Sequence, residues 1–409
     1  MEKGLTIGII GGGAAGFFAA ISVKEHFPYS NVIIFEKSNK LLSKVKVSGG
    51  GRCNVTNSEL DIKRLASNYP RGENFLKKAF GLFNTKHTIE WFENRGVPLN
   101  TLEDGCIFPV SNTSQSVIDC FLNQVKIKDI DIKIQTPINQ LLYSIVNQNF
   151  ELISNETTYH CDKVIVTTGG QPKLAGLTWL EVLGHKIIPP LPSLYTFNMP
   201  KHPICELMGN VVVNTTVKVE GTKLISKGPL LVTHWGMSGP AILKLSAWGA
   251  RILSEKDYQF SILVNWLDDI KEEKLRRDFE GYIKTNGEKK VTNFNPFPMT
   301  NRLWQYLLEK SEINLDTKWK EISKKSKNKL VNSLVNDKYD VSGKTTFKEE
   351  FVTAGGISLE DVDVKTMESK IVPGLFFAGE VLDIDGITGG FNFQAAWTTS
   401  YIAGKSAGN

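Results

Sequence analysis

Three glycine-rich strings carry this chain's candidate ligand-binding residues. The first is Gly-Gly-Gly-Ala-Ala-Gly at 11–16, with an acid, Glu36, twenty residues beyond Gly16. Each part has a physical task in holding a dinucleotide. Gly11 permits a tight turn, Gly13 lets a pyrophosphate approach bare backbone, and Gly16 lets a helix pack closely on a strand. The N–H groups at the start of that helix, through Ala14 and Ala15, offer partial positive charge to phosphates. Glu36 can accept hydrogen bonds from ribose hydroxyls and would repel a 2′-phosphate, which points to FAD or NAD rather than NADP.

The second string runs from 48 to 57, with Gly49, Gly50 and Gly51 followed by Arg52, Cys53 and Asn54. Its bare backbone and fixed cation suit a phosphate or a flavin edge. The third lies near the C-terminus, where an apolar run at 373–378 ends in Gly379 and Glu380, and Gly389 and Gly390 soon follow. A glycine followed by an acid suits a ribityl chain, because the carboxylate accepts from its hydroxyls. A helix predicted to begin near Phe391, carrying Asn392 and Gln394, would aim free N–H groups at a flavin pyrimidine edge. For each string the plain alternative is a structural turn. Together they favour non-covalent FAD, on a domain assembled from both ends of the chain.

Positioning these strings needs a strand at 5–10, a helix at 14–25 and a strand at 31–36, a β-α-β unit. Residues 60–127 read as mostly helical. Short strands at 131–136, 140–146 and 149–153 read as a meander, and 162–168 as another apolar strand. Pro189, Pro190 and Pro192 predict a linker. A β-rich stretch follows to about 267, then a charged helical one to 339 whose lysine run at 318–329 reads as a solvated face. Strands return at 351–357 and 375–379. The expected fold class is α/β with an α+β insert. It comprises a Rossmann-like FAD-binding domain (1–190 plus 342–409), an inserted β-rich domain (191–267) and a helical subdomain (268–341).

A chain of 409 residues, 41% hydrophobic and 22% charged, has the composition of a globular protein with ample core. The net charge of +5 demands no acidic partner, and no basic stripe is interleaved with aromatics, so nucleic acid is not expected. The five cysteines form no CxxC pair, which disfavours a metal site and a redox dithiol and fits reduced thiols in the cytoplasm. The uncharged stretch at 5–23 is broken by glycines, so no membrane insertion is expected. Oligomeric state is not legible.

Taken together, the strings resemble the aminoacetone oxidase-like, or BaiN-like, NAD(P)/FAD-dependent oxidoreductases. The matching blocks are 11–16 with 35–37, 48–57, 166–170, 233–240, 353–357 and 378–397, which run from end to end. The resemblance implies a three-part architecture: a discontinuous, Rossmann-like FAD-binding domain of the glutathione-reductase type, an inserted β-barrel-like domain and a helical subdomain. It also extends the cofactor-binding set to Lys37, Thr168 and Gly169, and it sets Ile138 beside the adenine.

Two residues are candidates for catalysis. His234 precedes a predicted helix start at 238–240 and could act as acid or base near neutral pH, or could simply hold its loop by a hydrogen bond. Arg52 could orient an anionic substrate. There is no second strand-GxGxxG-helix unit, so either NAD(P)H is a transient donor reacting at the flavin or the small-molecule substrate is itself the donor. The leading expectation is NAD(P)H-dependent reduction of an activated double bond. The alternatives are an oxygen-using oxidase of a small amine such as an aminoketone, and a non-catalytic flavin-binding redox sensor.

Overall fold

The structure is a computed structural model and describes residues 4–155, 157–345 and 352–409. The chain forms two compact units, Met1–Ser193 with Phe347–Asn409, and Leu194–Thr346.

The first unit is built on a parallel sheet. Strand β1 (Thr6–Ile10) is followed by helix α1 (Ala14–His26) and strand β2 (Asn31–Phe35). Two later strands, Lys163–Val166 and Leu375–Phe377, lie successively on one side of β1; β2 and then Asp131–Lys133 lie on the other. The short apolar runs are buried on both faces, as a sheet covered by helices requires. The C-terminal helix, Phe391–Ser406, lies along α1, and both are buried nearly all round. Gly404 makes the approach possible, because a Cβ there would meet the Ala19 carbonyl at 2.6 Å. Phe18, Trp91, Phe92, Phe121 and Trp397 interlock beneath them, with Trp397 donating its indole N–H to the Val55 carbonyl at 2.9 Å.

Several elements differ from the sequence expectation. The 131–136 strand belongs to the parallel sheet; the meander is Gln140–Ser144, Asn149–Ser154 and Thr157–Cys161, whose third strand was too polar to stand out. Within 60–127, helices Thr85–Glu93 and Gln115–Ile127 are separated by Leu99–Thr101 and Cys106–Pro109, which join Thr56–Asn57 in a small antiparallel sheet. Such short strands carry no periodicity to read. The proline stretch is no linker but lies in a strand, Ile187–Ser193, paired with Val352–Ile357. A register shift between Ile188 and Leu191 takes up Pro189 and Pro190, which have no N–H for a ladder. Phe351, the expected start of the partner strand, lies outside the described residues.

The second unit holds a seven-stranded antiparallel sheet flanked by helices Pro240–Glu255, Glu272–Asn286, Asn301–Lys310 and Lys324–Val335. Its β-rich and helical stretches share one core, in which Trp304 stacks on Trp319 and Phe279 packs beside them. Residues 337–342, expected to be largely helical, form the edge strand Asp337–Ser342: alternating burial puts Asp337, Tyr339 and Val341 inside. The lysine run is laced with ion pairs, Lys318 and Lys320 to Glu288 and Lys325 and Lys329 to Glu312. Among the described residues no helix is long and apolar enough to cross a membrane.

Candidate cofactor site

The turn between β1 and α1 shows what each glycine is for. Gly11 has φ +119°, and a Cβ there would meet the Thr167 carbonyl at 2.5 Å, so only glycine lets the turn lie against the neighbouring strand end. A Cβ on Gly16 would strike the Gly11 carbonyl at 1.9 Å. Gly13 is different. It caps α1 with ordinary φ −93°, no side chain caps the helix start, and a Cβ there would meet nothing within 4 Å. Bare helix N–H groups therefore open onto free space through Gly13, Ala14 and Ala15.

Glu36 sits at the end of β2. One carboxylate oxygen accepts from Gly12 N (2.9 Å) and the other from the backbone and hydroxyl of Ser38 (both 2.8 Å), which fixes the acid beside the turn. Thr136 N donates to the Glu36 carbonyl at 2.8 Å, so the segment leading to half-buried Ile138 runs alongside. Lys37 is exposed.

The second string begins in helix α2 (Ser43–Gly51), whose helical geometry breaks at Ser48–Gly50, where Gly49 and Gly50 take φ +57° and +68°. Gly50 and Gly51 have empty space where a Cβ would be. Arg52 is anchored by Nε to the Gly49 carbonyl (3.1 Å) and lies 4.3 Å over the Phe108 ring. Cys53 is buried, and burial pushes its thiol up to about 12. The carbonyl oxygen of the Asn54 side chain accepts from Ile107 N at 3.2 Å, so that group serves the local sheet.

At the far end of the chain, Gly379 lies so near α1 that a Cβ would come 2.7 Å from that of Ala15. Glu380 follows, held by Thr353 N at 2.8 Å and by Lys44 Nζ at 2.7 Å. Gly170 leaves room for this carboxylate, Gly169 (φ +72°) faces open space, and the Thr168 hydroxyl is buried with no hydrogen-bond partner. The C-terminal helix starts at Phe391 with Gly390 (φ +89°) before it, as expected. Asn392 does not face outward: its side chain clamps Gly386 N (2.8 Å) and Gly386 O (2.9 Å), fixing the loop ahead of the helix. Tyr69 donates to the Phe391 carbonyl at 2.7 Å. Gln394 is fully buried, accepting from Thr56 (2.6 Å) and Thr88 (2.9 Å) and donating to Thr398 (3.0 Å), so its side chain is committed to the protein interior.

The first unit thus brings together the α1 start, Thr168–Gly169 and Gly379–Glu380. Backbone cradles without Cβ obstruction, an uncapped helix start and an unpartnered hydroxyl fit a dinucleotide. His234 belongs to the second unit. It is exposed in a turn held by Thr233, whose hydroxyl accepts from Trp235 N and Gly236 N (both 3.2 Å). Among the described residues the His234 ring makes no hydrogen bond and rests against Trp235, with ring centres 4.5 Å apart. Sequence reasoning missed Lys44. Its signal was a cation seven residues before Gly51, legible only once Glu380 is known to be its neighbour. Among the described residues no cluster of His, Cys, Asp or Glu is arranged to hold a metal ion.

The sequence matches the family described as HI0933-like protein Rossmann domain over residues 5–406. It is 28% identical to the 3-dehydro-bile acid delta(4,6)-reductase of Clostridium scindens and 27% identical to the ribosomal RNA dihydrouridine synthase of Escherichia coli, with 98% of each chain covered in both cases. Among solved structures, the 3-ketosteroid delta1-dehydrogenase of Sterolibacterium denitrificans is similar with a TM-score of 0.54 at 10% identity, over 98% of this chain and 99% of that one. The 3-ketosteroid-delta4-(5alpha)-dehydrogenase of Rhodococcus jostii RHA1 gives 0.52 at 12% identity, over 100% and 97%. At these identities the structural likeness is one of fold. The family match takes in all three glycine strings, and the chain belongs to the HI0933-like Rossmann family of flavoprotein oxidoreductases.

Proposed function

We propose that this protein is an FAD-dependent reductase of a ring carbon–carbon double bond conjugated to a carbonyl, with NAD(P)H as electron donor. One observation carries the reading. Relatives that match this chain end to end bear names that describe saturation of a ring double bond, a delta(4,6)-reductase and a dihydrouridine synthase.

Bound FAD would supply a hydride from its N5 to the carbon far from the carbonyl. The chain's own residues would hold the cofactor and manage charge. The α1 start at Gly13–Gly16 suits the diphosphate, Glu36 with Lys37 and Ile138 the adenosine end, and Glu380 the ribityl hydroxyls. Gly51, Thr168 and Gly169 line the cradle. The helix start at Gly390–Asn392 gives N–H groups for the pyrimidine edge. Accepting a hydride moves negative charge onto the substrate's carbonyl oxygen. The Arg52 guanidinium, fixed by Gly49 and Phe108, is suited to meet that charge. His234, solvent-exposed and without a hydrogen-bond partner among the described residues, is suited to deliver the proton that completes the reduction.

The substrate reading is a small molecule of the enone class. A uridine ring within RNA offers the same conjugated carbonyl and is the second reading, favoured by the names of the Escherichia coli and Haemophilus influenzae relatives. The test supplies FAD-loaded protein and NAD(P)H with a 3-keto-Δ4 steroid in one arm and a ribosomal RNA transcript in the other. A mass gain of two hydrogens in either product supports the reductase and names its class. Consumption of an aminoketone with peroxide release, and no reduction in either arm, contradicts it. His234→Gln is expected to lower turnover with FAD still bound.

A further inference from the structure

The second and third glycine strings are joined at one short strand, Thr56–Asn57. Three contacts there fix side chains or close packing. Gln394 accepts from the Thr56 hydroxyl at 2.6 Å, Trp397 donates to the neighbouring Val55 carbonyl at 2.9 Å, and a Cβ on Gly390 would strike the Thr56 carbonyl at 2.3 Å. The fourth contact fixes backbone. The side-chain N–H of Asn57 donates to the Gly389 carbonyl at 3.0 Å. Its own orientation is settled, because Asn57 is 8% exposed and its side-chain oxygen accepts from Glu59 N at 3.1 Å.

That bond acts on a peptide flanked by two glycines, with φ +128° at Gly389 and +89° at Gly390. Without a Cβ on either side, the plane between them can turn over at small cost. In a trans peptide the carbonyl and the next N–H point in opposite directions. Asn57 draws the Gly389 carbonyl toward the Thr56–Asn57 strand, so Gly390 N–H faces the other way. Among the described residues that N–H donates to no protein atom, and no side chain caps the helix that starts at Phe391. Turned over, the peptide would present an acceptor in place of a donor. We propose that Asn57 is a positioning residue that selects the donor face of the Gly389–Gly390 peptide for the flavin pyrimidine edge, where negative charge gathers on reduction. It acts through the backbone, and its effect is to raise the flavin's reduction potential. This rests on the flavin reading above and adds to it the side chain that keeps the helix start in its charge-stabilising form.

The test compares the two-electron midpoint potential of FAD-loaded wild type, Asn57→Asp and Asn57→Ala, read by equilibration with a reference dye, and ADP binding to each apoprotein. Aspartate keeps the acceptor for Glu59 N and sets a second acceptor against the Gly389 carbonyl. Alanine removes the donor without adding charge. In both variants reduction is expected to become at least about tenfold less favourable, a fall of about 30 mV, the scale of one hydrogen bond to a charged group. ADP, which lacks the flavin ring, should bind as before. A reduction equilibrium within about twofold of wild type in Asn57→Ala would overturn the proposal. A fall in Asn57→Asp alone would do the same, since it assigns the effect to the added charge. Loss of ADP binding with an unaltered potential would mark a merely structural role and overturn it too. A crystal structure of the FAD-loaded wild type reads the contact without any variant: a hydrogen bond of about 3 Å from Gly390 N to the pyrimidine edge is expected, and no bond there would contradict it. A wild-type protein that binds neither FAD nor ADP would instead sink the flavin reading itself.

Discussion

At the scale of single residues, Gly13 separates binding from folding. Its backbone is one that alanine adopts freely, and its missing Cβ faces open space. Gly13→Ala should therefore leave the apoprotein's melting temperature unchanged while the added methyl blocks approach to the backbone. FAD affinity is expected to fall at least about tenfold by fluorescence titration; unaltered affinity would show that nothing approaches the chain there. Cys53 makes the opposite case, a motif residue withdrawn from chemistry. With its thiol pushed up to about 12 by burial, it should resist iodoacetamide in the native protein near pH 8 and react only on unfolding. The sign of the linkage follows. Below about 9 the thiol is protonated in both states; between about 9 and about 12 only the unfolded chain ionises, so Cys53 lowers stability as pH rises through that window. Urea midpoints falling from about pH 8 to pH 10.5 would carry this contribution.

At the scale of elements, the C-terminal helix and its preceding loop are fixed by buried polar groups that no sequence pattern reveals. Gln394 satisfies the Thr56 and Thr88 hydroxyls, and Gln394→Leu would strand both, at a cost of about 2–4 kcal/mol. Arg71 makes a bidentate ion pair with fully buried Asp385, which also accepts from Ser193 at 2.6 Å. Arg71→Ala would leave that carboxylate buried and unpaired, at a cost of about 3–5 kcal/mol in chemical denaturation. Loss below about 1 kcal/mol in either variant would mean that the loop repacks. These contacts explain what was legible. The glycine strings announced the turns, because glycine takes positive φ most readily and alone permits close approaches such as those at Gly11 and Gly16. Thr56 and Thr88, the partners of Gln394, lie across the fold, and the clamp of Asn392 on Gly386 depends on a loop conformation, so neither contact shows in the sequence. Pro189 and Pro190 misled for a related reason: a bulge that removes the need for their N–H groups is a property of two paired strands.

At the scale of the whole molecule, the first and last strings meet because the parallel sheet sets β1 two strands from Leu375–Phe377 and because α1 lies along the C-terminal helix. Alternation of apolar runs and glycine turns was enough to foresee that meeting. It was not enough to foresee that the β-rich and helical stretches of the second unit share one core, since contacts such as Trp266 N to the Leu334 carbonyl at 2.9 Å join residues far apart in sequence. Electron flow through the flavin decides between the reductase and the oxidase. Flavin absorbance would be followed in an oxygen-free stopped-flow cell, first against NADH or NADPH and then against an enone. Bleaching by the nicotinamide and full return of the flavin band on adding the enone is the predicted result. A flavin that ignores both nicotinamides, bleaches with an aminoketone alone and recovers only on admitting oxygen would contradict it.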